Sequence, residues 1–196
     1  IAASLKESES KLVAMAMQET NLPEARLKNE LARTCNQLKS YADFCASGQW
    51  MDIRIDTADE SRNPPKPDIR KMMTALGPVV VFGASNFPFA YSTAGGDTAC
   101  AFAAGCAVIV KAHPAHAGTS ELVAGIILKT AEMHGLPKGL FAHVHGKSNA
   151  VGEALVKHPA VKAVGFTGSF VGGKQIFDWG NQRREPIPVF AEMGSV

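Results

Sequence analysis

The sequence predicts an α/β fold: a doubly wound parallel sheet preceded by N-terminal helices and a β-hairpin arm. Three observations carry this. Beyond Gly77, short apolar runs at 78–82, 107–110, 140–144, 161–166 and 187–190 alternate with segments of helical length. Runs this short and unbroken suit strands buried on both faces, as parallel sheets require. Before residue 50 the apolar residues recur at helical spacing, and residues 51–76 alternate as a half-covered strand does. With 196 residues, 46% hydrophobic and 19% charged, the chain can build a core, and disorder is excluded.

The first 50 residues read as helices. In 23–47, Leu27, Leu31, Leu38, Ala42 and Cys45 follow one another at separations of four, seven, four and three, which marks one buried stripe. Asn21 and Glu24 form a capping-box pair at its start, and Gly48 is placed to end it. In 51–76, Ile53 and Ile55 alternate with Asp52, Arg54 and Asp56, then a proline-rich loop at 61–67 precedes a second strand-like stretch at 69–76. A hairpin arm fits this pattern, and an irregular linker fits it equally. Residues 77–196 form the α/β domain. Its clearest helix is 116–134, with Leu122, Val123, Ile126, Ile127 and Thr130 on one stripe and Gly135 and Pro137 as stop signals.

Composition excludes several functions. Lys plus Arg number 20 and Asp plus Glu 18, a net charge of +2, so binding nucleic acid through bulk electrostatics is not expected. No apolar run approaches the roughly 20 residues of a membrane helix. Residues 1–10 carry Glu7 and Glu9 and do not read as a secretory signal. Cys35, Cys45, Cys100 and Cys106 form no C-x-x-C pair and read as buried reduced thiols, which points to a cytoplasmic protein.

Four segments at strand ends could carry chemistry, because ligands of open α/β sheets sit outside the carboxyl ends of the strands. In 83–89, Asn86 could donate its amide to a developing oxyanion, or simply occupy a turn. In 111–116, Lys111 could hold a ribose hydroxyl or a phosphate. His113 and His116 flank Pro114 with no carboxylate adjacent, so they read as surface histidines and no metal site is expected. In 165–174, Ser169 is placed to cap a helix whose N-terminus would accept a phosphate; the G-x-G-x-x-G pattern is absent. In 190–195, Glu192 could act as a general base or stand solvated.

In this order, the stretches Ser85-Asn86-Phe87-Pro88, Val110-Lys111, Phe166-Thr167-Gly168-Ser169 and Ala191-Glu192-Met193-Gly194-Ser195 resemble the cofactor-binding half of the aldehyde dehydrogenase superfamily. The resemblance spans roughly residues 20–196. The Lys-Ala-His-Pro-Ala-His and Glu-Met-Gly-Ser stretches resemble most the NADP-preferring branch acting on fatty aldehydes and on 2,5-dioxopentanoate (α-ketoglutarate semialdehyde). It implies a Rossmann-like, aldehyde dehydrogenase-like fold and NAD(P)-dependent oxidation of a small aldehyde through a Cys thiohemiacetal and thioester. Asn86 would stabilise the oxyanion and Glu192 would be the general base. Ser85, Lys111, His113, Phe166, Thr167, Gly168, Ser169, Gly172, Met193 and Gly194 would contact the cofactor. Lys111 would hold the adenosine ribose, Ser169 the pyrophosphate, and Thr167 and Gly168 the nicotinamide ribose side. Residues 51–76 would join subunits into a dimer or tetramer.

Two departures from the family pattern matter. Many NAD-using members carry a Glu three residues after the Lys, and here that position is Pro114. Losing that carboxylate removes repulsion against a 2′-phosphate, worth about 1 kcal/mol or more at an effective dielectric of about 20. NADP is therefore the expected cofactor, with NAD as the alternative. The family nucleophile is a Cys downstream of the Glu, and no cysteine here stands in that position. The sequence thus reads as the front part of an enzyme, inactive alone. Other readings are a truncated dinucleotide-binding module, an interaction protein assembling through 51–76, and an acyl-phosphate reductase of the same fold.

Overall fold

The computed structural model describes residues 1–194. The chain opens with helices α1 (Ala2–Glu7), α2 (Glu9–Thr20) and α3 (Glu24–Ser47). Gly48 ends α3 in the left-handed conformation at φ 71°, as its position in the sequence suggests. Asn21 does not cap α3, which corrects the capping-box reading. It closes α2 instead, at φ 56°, with its N–H bonded to the Met17 carbonyl, and Pro23 stands at the α3 N-cap. Asn tolerates the left-handed region better than most residues, and this use outcompetes the cap. The α3 stripe holds through Leu27, Leu31 and Cys35, whereas Ala42 is exposed and Cys45 only half-buried. A helix of 24 residues runs about 36 Å and outlasts the core beneath it.

Strands β1 (Arg54–Asp56) and β2 (Ile69–Lys71) pair antiparallel, and Asp59 and Lys66 bridge the ladder further along. The arm is therefore a hairpin. Both strands are exposed along their whole length, so Ile53, Ile55, Ile69 and Met72 cover nothing among the described residues.

The second sheet contains β3 (Val79–Phe82), β4 (Val108–Lys111), β5 (Phe141–Val144), β6 (Ala163–Thr167) and β7 (Val189–Glu192). Their spatial order is β5-β4-β3-β6-β7, and every pairing is parallel. The helices between them are α4 (Gly96–Ala103), α5 (Ala117–Met133), α6 (Asn149–Lys157) and α7 (Phe170–Asn181). Helices α1–α5 cover one face, where Leu5, Leu12, Leu27, Leu31, Val123 and Ile127 pack on Val79, Val81, Val108 and Phe141. On the other face Val156 and Ile176, from α6 and α7, pack on Val80, Phe82 and Val164. This two-sided burial is why β3 reads as an unbroken apolar run. The seventh strand begins two residues later than its sequence suggests: Pro188 lacks an N–H, and its carbonyl accepts from Val164 N before regular pairing starts. Glu192 is thereby the last strand residue rather than part of the loop beyond it. From β3 the chain winds out to β4 and β5, then returns past β3 to β6 and β7. The direction reverses between β3 and β6, the position where sheets of this kind leave a crevice.

Buried polar groups fix the loops at that crevice. Glu30 on α3 lies in the core, and its Oε1 accepts from the N–H groups of Phe89 and Ala90 at 2.7 and 2.9 Å. Burial pushes its carboxyl up, against the pull of those two bonds. His116 is fully buried, not a surface histidine, because its Nε2 meets the Ala84 carbonyl at 2.7 Å and its Nδ1 meets Ser120 Oγ at 3.1 Å. Glu19 on α2 caps the start of α5, accepting from Gly118 N, Thr119 N and Thr119 Oγ1 at 2.6–2.8 Å. Burial alone would raise this carboxyl, but the three bonds hold it below the usual range. Of the cysteines, Cys35 and Cys106 are buried as expected, whereas Cys100 is exposed.

Replacing Glu30 by Ala strands the Phe89 and Ala90 N–H groups. At about 1–3 kcal/mol for each buried unsatisfied group, urea unfolding of Glu30→Ala should show a loss of roughly 3 kcal/mol. Glu30→Gln keeps an acceptor and removes the buried charge, so it should stay within about 1 kcal/mol of the parent. Equal losses in both variants would contradict this role.

Candidate active site

The segment leaving β3 is held at several points. Gly83 N donates to the Lys111 carbonyl and Ala84 N to the Tyr91 carbonyl, while His116 holds the Ala84 carbonyl. Arg26 donates to the Asn86 carbonyl at 2.8 Å, and its guanidinium lies over the Phe87 ring. Phe87 meets Tyr91 edge to face at 5.1 Å. The backbone of the loop is thus fixed, while Ser85 and Asn86 present exposed side chains.

At the end of β4, Lys111 is half-buried, and desolvation lowers its pKa. His113 is held at about 4 by burial first, then by His116 and Lys111. Its Nδ1 accepts from Ala115 N at 3.1 Å, so the neutral ring carries its proton on Nε2.

At the end of β6, Ser169 caps α7, accepting from Gly172 N at 3.3 Å. Phe170 and Val171 in the same first turn are exposed, so this helix terminus faces solvent. The glycines have a steric reason. A Cβ on Gly168 would stand 2.7 Å from the Phe166 ring, and one on Gly172 would stand 3.2 Å from it. Met193 packs across Gly173 in the same way. Gly168 N donates to the Glu192 carbonyl at 3.0 Å, which ties the end of β6 to that of β7. The Glu192 side chain is exposed.

Lys111, His113, Phe166 and Gly172 open onto one cavity of about 270 Å³ on the α6–α7 face of the crevice. This is near the lower limit for ligand pockets and suits one half of a dinucleotide. Ser85, Asn86, Thr167, Gly168, Ser169, Glu192, Met193 and Gly194 do not line it; they follow along the same carboxyl edge, with Ser195 outside the described residues. Asn86 follows β3 and Glu192 ends β7, two strands away, a lateral spacing of about 10 Å.

Sequence reasoning missed several lining residues: Phe82, Lys147, Ser148, Gly152, Gln175 and Trp179. On α7 a signal was available, because Gly172, Gln175, Ile176 and Trp179 fall at i, i+3, i+4 and i+7 and form one helical face. Lys147 precedes α6 in a loop and carries no periodic signal.

The family model for the aldehyde dehydrogenase family matches residues 1–196. Alpha-ketoglutaric semialdehyde dehydrogenase 2 of Azospirillum brasilense is 52% identical over 186 residues, covering 94% of this chain and 35% of the relative. Alpha-ketoglutaric semialdehyde dehydrogenase of Acinetobacter baylyi is 48% identical over 197 residues, covering 100% of this chain and 37% of the relative. The crystal structure of an NAD-dependent benzaldehyde dehydrogenase from Corynebacterium glutamicum superposes with a TM-score of 0.81 at 26% identity, covering 98% of this chain and 39% of that one. The chain spans about a third of the length of the curated relatives it matches.

The depressed His113 value has a measurable consequence. A histidine with a folded pKa below its unfolded value stays neutral in the fold while the unfolded chain protonates. Its contribution to stability is therefore full above the ordinary value of 6.5 and falls as the pH drops toward about 4. An NMR titration of the His113 ring should show a midpoint near 4. A midpoint between 6 and 7 would mean that the ring is solvated.

Proposed function

Because the chain belongs to the aldehyde dehydrogenase family, we propose that it is the cofactor-binding part of an enzyme that oxidises a small aldehyde to a carboxylic acid, preferring NADP. The observation that carries this reading is the cavity at the crevice, where Lys111, Lys147 and His113 border a wall formed by Phe82, Ile176 and Trp179. The residues fit a phosphorylated nucleoside. Two ammonium groups and a neutral imidazole N–H supply donors for a phosphate, and the apolar wall suits a base. A Cβ at Gly172 would crowd the Phe166 ring at its rim.

In this reading Lys111 binds the adenosine ribose, and with His113 and Lys147 it receives the 2′-phosphate. Ser169 and the exposed first turn of α7 receive the pyrophosphate. Thr167 and Gly168 border the nicotinamide ribose side, and Ser85, Met193 and Gly194 make further contacts with the cofactor. When bound, the dinucleotide accepts hydride from the substrate carbon. A Cys thiolate from another part of the protein attacks the aldehyde. Asn86 donates its side-chain amide to the oxyanion that forms. Glu192 takes a proton from the hydrolytic water, and the acid departs. The names of the two curated relatives point to α-ketoglutaric semialdehyde as substrate.

We further read residues 77–196 as the dinucleotide-binding domain, 1–50 as its accessory helices and 51–76 as an arm that pairs with another subunit. The uncovered apolar residues of β1 and β2 support that last role. No helix among the described residues is long and apolar enough to cross a membrane. A cytoplasmic enzyme is the reading that the four unpaired cysteines favour.

The test uses the full-length protein, α-ketoglutaric semialdehyde and both dinucleotides. NADP should give the higher kcat/KM. Asn86→Ala should lower kcat by about 100- to 1000-fold, with NADP affinity nearly unchanged. Absence of turnover with either dinucleotide, or an undiminished kcat in Asn86→Ala, would overturn the assignment.

A further inference from the structure

On the opposite face of the sheet from the cavity, β5 and α5 bring three ligating side chains together. Phe141 and His143 alternate to one side of β5, Phe141 packs in the core beneath α5, and His145 follows just beyond the strand end. His143 and His145 therefore face that helix, and Glu121 in its second turn meets them. One carboxylate oxygen, Glu121 Oε2, lies 3.2 Å from His143 Nδ1 and 2.7 Å from His145 Nε2. The two rings stand edge to face with centroids 4.7 Å apart. The three donor atoms all lie within 4.8 Å of one another.

We propose that Glu121, His143 and His145 form a binding site for a divalent transition cation of the zinc class, completed by water. Two imidazoles and one carboxylate are the donor set of many open zinc sites, whereas magnesium and calcium prefer oxygen alone. Tetrahedral zinc, with bonds of about 2.0–2.2 Å, holds its ligand atoms about 3.4 Å apart. Side-chain adjustments of about an ångström reach that arrangement from the present one.

The protonation states suit the role. Burial, then the neighbouring His145, holds His143 below its ordinary value, so the ring is neutral and able to ligate. The bond from His145 is the main influence keeping the Glu121 carboxyl low, so it is ionised. The His143 side chain is 5% exposed and is set by packing, while those of His145 and Glu121 are 46% and 66% exposed. One ligand is thus pre-positioned, and the open side admits the ion and its waters. His143 Nε2 has no hydrogen-bond partner among the described residues, so Nδ1 is the atom directed at the cluster.

The site has a structural consequence for its neighbour strand. β5 is an edge strand, and its Val144 carbonyl accepts from Ala112 N, between Lys111 and His113, at 2.9 Å. An ion joining β5 to α5 would clamp the strand on which the end of β4 leans.

The experiment is a zinc titration of the full-length protein after treatment with chelator, followed by calorimetry and elemental analysis. Four proteins are compared: the parent, Glu121→Gln, His145→Ala and, as a surface control, His134→Ala. The parent and the control should each bind one zinc per chain that both site variants lose or bind at least about tenfold more weakly. Unchanged stoichiometry and affinity in Glu121→Gln and His145→Ala would overturn the site, as would an equal loss in His134→Ala. The substituted cluster residues are exposed, so the variants should fold like the parent.

Discussion

Strict parallel pairing of five strands governs where everything else can go. β3 lies between β4 and β6, with Val79 opposite both Val108 and Ala163. A parallel strand cannot be reached by a tight turn, so each connection crosses a face of the sheet as a helix. Every strand then ends at the same edge, and every functional loop emerges there. The cost is burial on both faces. It is met by Val80 and Val164 toward α6 and α7, and by Val81 and Val108 toward α1–α5. The segments leaving β6 and β7 and the loop after β3 therefore emerge at one edge of the sheet, although β3 and β7 are not paired directly.

Burial of charge sharpens that geometry. Glu30 and His116 sit in the core beneath the segment that follows β3, and each takes up backbone groups that no strand or helix could satisfy. A buried carboxylate is unfavourable unless well bonded. Here it holds Phe89 and Ala90 in place, and Arg26 grips the Asn86 carbonyl from the solvent side. The Asn86 side chain is left outside this network, on a backbone fixed from both sides. Glu19 applies the same device to the start of α5, so α2 and α3 serve as braces for loops more than 50 residues away.

Much of this was legible in the sequence. The unbroken run at 79–82 gave its strand, and Gly48 and Ser169 took up the caps that their residue types favour. The reading failed where two local uses of one residue competed. Asn21 could cap the next helix or close the previous one, and it closes α2 in the left-handed conformation that Asn tolerates. It failed also where burial is a tertiary property. His116, two residues after Pro114, looks like a surface residue, and nothing local shows that the Ala84 carbonyl will arrive at its Nε2. Lys147 in the crevice, and Glu121 against His143 and His145, are brought together by crossovers and leave no mark in local periodicity. Of the crevice, the strand-end residues and the lining face of α7 were readable, and those supplied by α6 and the loop before it were not.

We propose that the carboxyl-edge loops converge on one dinucleotide. Hydrogen exchange of the full-length protein with and without NADP tests it most directly. Protection should rise together in 83–87, 111–115, 147–152 and 166–173, and exchange in the β1–β2 hairpin should stay unchanged. Protection confined to a single one of these segments, or centred on the hairpin, would contradict the account.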